Sequence, residues 1–325
     1  MYRTLKSIVH LNLFIIIAVV FLMSCSGDER TDSLFKSSVR QDAAYRIEIP
    51  LGGSLQNPAF SPDGKSIVFT RFRGGYNEGA SDLFIYNLDS GELSELIVDG
   101  NSNVNLPGSV WNEELDSIVF SSARDPHDEI FFISEVATTG SEIQITSRAS
   151  KQSFEPSFSP DGQWIVFESH AVDVENDGIV TKYKIDGTSG YIDLTPSGDN
   201  CKQPNWSPTE DRILYQKQDN GKWDIWVMNI DGSNKAMITS GEGNKTDAVF
   251  SYDGVWIIYS SENDEVELAN IYKIPVSGGT PIRMTYYDGY DGAPSISPDG
   301  RQIVFESSPD VSSRTTIWIL DVIDN

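Results

Sequence analysis

The chain is short of imidazole, thiol and positive charge. Its 325 residues hold three histidines, two cysteines and 24 Lys and Arg against 48 Asp and Glu, a formal net charge of −24 at pH 7. His10 lies in the amino-terminal apolar stretch, which leaves only His127 and His170 for a site elsewhere. A multi-histidine metal centre is therefore excluded, and two cysteines cannot build a disulfide framework, so stability has to come from packing. Nucleic acid is an unsuitable partner, because phosphate binding needs a basic face. No Gly-x-Ser-x-Gly stretch occurs, so the nucleophile elbow of a serine hydrolase is missing. Long apolar runs are also scarce. The run from Leu11 to Met23 is too short to span a bilayer comfortably.

What the chain does have is repetition. Glu155-Pro-Ser-Phe-Ser-Pro-Asp-Gly-Gln-Trp-Ile-Val-Phe-Glu168 is restated along the sequence, with Ser-Pro-Asp-Gly intact at Ser61 and Ser297 and Ser-Tyr-Asp-Gly at Ser251. Degraded copies begin at Asn112 and Ser207. The six anchors are 51, 47, 48, 44 and 46 residues apart, the period of propeller blades. Each unit reads as four strands: Pro-x-aromatic-Ser, a Pro-Asp-Gly turn, x-Ile-Val-Phe, a variable loop, then two more strands. Proline pre-sets φ, aspartate bonds the local backbone and glycine accepts positive φ, so these aspartates are turn formers. The second strands are apolar on both faces, as a blade sandwiched between neighbours requires.

The last unit, from Pro294, ends with Thr316-Ile-Trp-Ile-Leu-Asp-Val322 and lacks a fourth strand. Tyr45-Arg-Ile-Glu-Ile-Pro50 alternates as a strand, and Ile49 stands nine residues ahead of Pro58, the spacing at which fourth strands end elsewhere. The expected fold is all-β: a six-bladed β-propeller of four-stranded antiparallel blades, 44–325, its ring closed by the amino-terminal strand. Closure of this kind removes the exposed edge of the sheet.

Before this domain, Arg3 and Lys6 precede the apolar run, the layout of a secretory leader over 1–24. The run ends Leu22-Met23-Ser24-Cys25, which resembles the bacterial lipobox. That resemblance implies lipidation of Cys25, a flexible linker over 25–43, and anchoring to the outer membrane, facing the periplasm or the cell surface. Cys201 is then left without a partner.

The repeated Ser-Pro-Asp-Gly and Ile-Val-Phe elements, followed by Ile-Tyr or Ile-Trp and a Leu-Thr or Ile-Thr strand, resemble the WD-repeat-like units of the TolB propeller family. That family includes protein-binding modules of bacterial envelopes, gating domains of prolyl-oligopeptidase-like enzymes and occasional lyases, so function has to be argued from the site. Loops between second and third strands open on the same face as loops between blades, around the channel mouth. The inter-blade loops supply Asn57, Glu155, Gln203, Asp247 and Asp291, a polar and acidic ring. The loops after second strands add Arg71, Arg124 and His170. Tyr286, Tyr287 and Tyr290 offer amphipathic contact area for a protein or stacking planes for a sugar. These residues form the expected partner-binding set; the bland alternative is solvated loop residues and packing between blades. Asp173, Glu175 and Asp177 alternate as in the opening of a calcium loop, but Lys184 stands where the closing glutamate belongs. The reading is a monomeric, non-catalytic envelope lipoprotein that needs no cofactor and binds a protein or peptide. The alternatives are a carbohydrate- or calcium-binding surface lipoprotein and, further off, a lyase or hydrolase.

Overall fold

The computed structural model describes residues 39–98, 104–105, 111–112, 116–124, 127–134, 142–172, 174, 176–263, 266–310 and 313–322. The expected leader and Cys25 lie outside the described residues, as do Asp173 and Glu175. All regular secondary structure among the described residues is strand, arranged in six antiparallel sheets around a ring. Blade 3 shows the layout: Lys151–Phe158, Trp164–Ala171, Ile179–Lys184 and Ile192–Asp193, hydrogen-bonded in that order from the centre outward. In blade 2 the described parts of the innermost position are Val104–Asn105 and Trp111–Asn112, both paired with Ser117–Ser122. Blade 6 consists of Tyr290–Ile296, Gln302–Ser308, Thr316–Asp321 and, as fourth strand, Tyr45–Arg46. Tyr45 pairs with Ile319 and Arg46 with Trp318, and Ile47 N–H donates to Ile317 O at 2.9 Å. The structure is a six-bladed β-propeller closed by its amino-terminal strand.

The second strands explain why the blades stack. Ile67, Val68 and Phe69 are fully buried, as are Ile165, Val166 and Phe167, and Ile303, Val304 and Phe305. Consecutive residues of a strand face opposite ways, so burying all three means each sheet is covered on both sides. Accordingly the apolar clusters join neighbouring blades: Ile213 and Tyr215 of blade 4 pack with Val166 and Val180 of blade 3, and Val249 and Ile258 of blade 5 with Ile303 and Phe305 of blade 6. Each such side chain contributes about 1.5–3 kcal/mol of burial, which makes blade-to-blade contact the main source of stability.

The Ser-Pro-Asp-Gly turns close the first hairpin of a blade. Asp63 Oδ1 accepts from Ser61 Oγ at 2.7 Å and from Lys65 N–H at 3.0 Å, and Gly64 has φ +71°. The same bonds recur at Asp161, Asp253 and Asp299. The threonines that end fourth strands also have a fixed task. The hydroxyls of Thr146, Thr195, Thr239 and Thr285 each accept a third-strand N–H, from Ile130, Val180, Ile225 and Ile271.

The linker expected over 25–43 does not extend that far as a free segment. Arg40 bridges to Tyr287, Gln41 N–H donates to Tyr286 O at 2.8 Å, and Asp42 accepts Tyr286 N–H at 2.6 Å. The chain is tied to the ring from Arg40 onward, because Arg40 is the cation that neutralises Asp291 in blade 6.

Candidate functional site

Around the axis, five innermost strands are interrupted at the same place. The ladder slips between Gln56 and Ala59, Phe154 and Ser157, Lys202 and Asn205, Thr246 and Val249, and Gly292 and Ser295. The residue that opens each bulge is left-handed: Asn57 (φ 50°), Glu155 (51°), Gln203 (45°), Asp247 (53°) and Ala293 (46°). A bulge frees one backbone N–H and turns its side chain toward the axis. The freed N–H groups are then satisfied by other blades. Gln203 N–H donates to Glu155 Oε2 at 3.1 Å, Asp247 N–H to Gln203 Oε1 at 3.0 Å, and Asn57 N–H to Glu306 Oε2 at 2.9 Å. Asn57 Nδ2 continues to Asn105 Oδ1 at 2.8 Å. These side chains lock blade to blade at the centre while they line the channel.

Above this collar lies a cavity of about 1040 Å³, opening on the face opposite the Ser-Pro-Asp-Gly turns. Its wall carries Phe72, Phe154, Trp223, Tyr76 and Tyr290 together with Glu155, Glu168, Asp247, His170, Lys202 and Gln216. A smaller cavity of about 110 Å³ lies beyond it, and Tyr76, Asn105, Glu155, Gln203 and Asp247 border both. Tyr76 comes from the loop between the second and third strands of blade 1. Its hydroxyl lies 3.3 Å from that of Tyr290, with the rings edge to face at 6.0 Å. Tyr290 OH in turn donates to Glu306 Oε1 at 3.2 Å.

The electrostatics are those of crowded carboxyls in a poorly solvated wall. Burial, followed by the adjacent Glu168 carboxyl, pushes Glu155 well above the usual carboxylate range. Burial also lifts Glu306, with the Asp247 charge adding to it, to about 8 against the opposing N–H of Asn57. Asp128 on the rim rises to about 6, again through burial. Burial pulls His170 down, but contact with Glu168, whose Oε1 lies 2.9 Å from Nε2, outweighs it and the imidazole ends above its ordinary value. The Glu306 charge and then burial push the Tyr76 phenol far upward, so it stays a neutral donor.

Of the residues expected at the site, Glu155, Gln203, Asp247, Tyr290 and His170 meet in the large cavity, and Asn57 lies in the smaller one. Arg71 does not reach it: its guanidinium is spent on Asp82 Oδ2 at 3.0 Å and Gly52 O at 2.8 Å. Arg124 is likewise held away, paired with Glu142 and lying over the Phe131 ring at 4.7 Å. Tyr287 packs under Arg40, and Tyr286 under Arg283 at 4.7 Å. Asp291 is a correction of register. The bulge fixes the residue immediately before Pro294, so blade 6 contributes Ala293 to the collar, and Asp291 is fully buried against Arg40. Asp177 Oδ1 accepts from Ser197 Oγ at 3.1 Å. Among the described residues no group of three or more His, Cys, Asp or Glu converges to hold a metal.

Sequence reasoning missed Glu168, Glu306, Gln216, Tyr76, Lys202 and Trp223. A signal for the first three was present. Each follows the apolar triplet of a second strand, in Ile165-Val-Phe-Glu168, Ile213-Leu-Tyr-Gln216 and Ile303-Val-Phe-Glu306, where a polar side chain inside a buried strand has to face the axis.

A model of the TolB β-propeller domain matches residues 195–322. Tol-Pal system protein TolB of Francisella tularensis subsp. mediasiatica is 26% identical over 211 residues, covering 62% of this chain and 46% of that protein. A Tricorn-like protease C-terminal subunit of Sulfurisphaera tokodaii is 23% identical over 261 residues, 76% of this chain and 27% of its own. The chain thus spans less than half the length of these curated relatives. The crystal structure of TolB from Acinetobacter baumannii superposes with a TM-score of 0.60 at 17% identity, over 75% of this chain and 60% of that one. With its six blades and these likenesses beside them, the chain is a six-bladed β-propeller similar, over residues 195–322, to the TolB β-propeller domain.

Proposed function

We propose that this protein is a non-catalytic envelope lipoprotein that binds a protein or peptide partner at the channel-mouth face. The observation that carries the reading is the cavity of about 1040 Å³, whose wall combines aromatic side chains with fixed polar groups. Such a surface gives an inserted segment both contact area and directed hydrogen bonds. The opposite face offers repeated turns in which each aspartate Oδ1 is engaged by a backbone N–H of its own turn. The likeness to a Tol-Pal system protein supports a scaffold role of this kind in the envelope. The lipobox-like Leu22-Met-Ser-Cys25 supports anchoring through Cys25 on the outer membrane.

Site-directed photo-crosslinking in cells tests the binding face. A benzophenone side chain at Asn77 or Trp223 should capture a discrete protein, while one at Tyr252 on the turn face should not. Equal capture from both faces, or none from the mouth, overturns the assignment. Separately, Cys25→Ala should move the protein from the membrane to the soluble fraction; retention in the membrane counts against the lipid anchor.

A further inference from the structure

Gln216 leaves a donor unused in the cavity wall. It lies on the second strand of blade 4, is 3% exposed, and its Nε2 has no hydrogen-bond partner. The corresponding residue of blade 6, Glu306, reaches the bulge N–H of the next blade at Asn57. Gln216 Nε2 is a donor and finds no acceptor in the same place, since the group ahead of it, the N–H of Asp247, is itself a donor given to Gln203 Oε1 at 3.0 Å. A buried amide N–H without an acceptor is costly, so an acceptor entering the cavity is favoured here.

The carboxylates beside it are short of cations. Lys202 Nζ and His170 Nε2 both turn to Glu168, at 3.9 and 2.9 Å. Glu155 and Asp247 instead share one neutral amide, Gln203 Nε2, at 3.0 and 3.1 Å. Among the described residues no three metal-ligating side chains converge in this wall, so it lacks the compact ligand set of a metal ion. An ammonium group places fewer demands on geometry: three donors, no acceptor, and tolerance of spaced carboxylates.

We infer that the wall formed by Glu155, Gln216 and Asp247 is a subsite for a primary ammonium group with a carbonyl oxygen beside it. The ammonium donates to Asp247 and Glu155, the arriving cation drawing the Glu155 proton off to solvent, and the carbonyl accepts from Gln216 Nε2. This rests on the peptide-binding reading above and specifies which part of a peptide is held. Two sources share the chemistry: the free amino terminus with its first carbonyl, and a lysine side chain folded beside its own backbone.

Calorimetric titration of the full chain in detergent separates them with three probes: Ala-Ala-Ala amide, its N-acetyl form, and N-acetyl-Ala-Lys-Ala amide. The free-amine peptide, the lysine peptide or both should bind about tenfold more tightly than acetyl-Ala-Ala-Ala amide, the worth of one charge-assisted contact. Gln216→Leu should erase that advantage while circular dichroism melting stays in place, and Glu155→Gln should erase it too, with its melting read alongside because Glu155 also accepts the Gln203 N–H of the next blade. Gln216→Leu replaces an unpaired amide with an apolar side chain, so it remains a valid test if Glu155→Gln proves unstable. Equal affinity for all three probes, no binding of any, or an undiminished advantage in Gln216→Leu overturns the subsite. Crosslinking from Asn77 and Trp223 would persist in that event if the broader reading holds.

Discussion

Arg40 Nη2 stands 2.6 Å from Asp291 Oδ1, across 251 residues of chain, and neither side chain is more than 10% exposed. The same guanidinium lies 4.2 Å from the Tyr287 ring centroid and 4.5 Å from that of Trp318, and donates to Ser307 Oγ at 2.9 Å. Burial raises the proton affinity of Asp291, and Arg40 is the group that opposes it. A polar stretch with no periodicity thus ends in the residue that makes a buried carboxylate in blade 6 tolerable.

Arg40→Ala leaves Asp291 buried with no ion-pair partner, and the expected loss is about 3–5 kcal/mol, read as a lower urea midpoint. Arg40→Ala with Asp291→Asn should be less destabilised than Arg40→Ala alone, because the stranded charge is gone. If the double variant is the worse of the two, the pair is not what holds this segment.

Removal of residues up to Leu51 takes away the fourth strand of blade 6 and with it Ile49, which is 7% exposed in the cluster shared with Phe60 and Val304. The edge of Thr316–Asp321 is then bare and the ring is open. Such a chain should lose its single cooperative melting transition in circular dichroism or aggregate, whereas a chain beginning at Val39 should keep it. An unchanged transition in the shorter chain would show that closure is dispensable.

Stability should fall as pH rises toward 8. Glu306 takes its proton at about 8 in the folded protein against 4.5 ordinarily, so between those values the native state holds a proton that the unfolded state has released. The contribution is fully present below about pH 4.5 and is lost as pH rises through 8. Asp128 acts with the same sign from 3.8 to about 6. Urea midpoints should therefore decline over this window, and Glu306→Gln should flatten the decline between about pH 6 and 8. A slope unaltered by that substitution would place the proton elsewhere.

The blades were legible because their signals are local: a turn, written Ser-Pro-Asp-Gly at three of the six anchors and altered at the others, is followed within about ten residues by three consecutive apolar residues in every unit. The collar was legible in four blades for the same reason, since Asn57, Glu155, Gln203 and Asp247 stand directly before the Pro or Ala of the first strand. It was misread in blade 6, where Asp291 drew attention on charge while the backbone places Ala293 at the bulge. Arg71 and Arg124 stay out of the cavity for a reason no loop position reveals, an acid across the sheet, here Asp82 and Glu142. The contacts of Arg40 and Tyr76 span 251 and 214 residues, and no local pattern encodes either of them.

Tyr76 lines both cavities, and its removal should join them. Its ring borders both, and its hydroxyl meets Tyr290 OH, which in turn holds Glu306. Ala293 lines the smaller cavity and is 5% exposed, so a cysteine placed there reports on passage from the mouth. The native Cys201 is fully buried and burial lifts its thiol to about 11, which keeps it silent in such an assay. In the Ala293→Cys background, Tyr76→Ala should speed maleimide labelling about tenfold, equivalent to ~1.4 kcal/mol of opening free energy. Tyr76→Phe keeps the ring and loses only the hydroxyl contact, so it should label nearly as slowly as the parent if the ring itself is the barrier. Equal rates in all three proteins would mean that the smaller cavity is reached from the turn face instead.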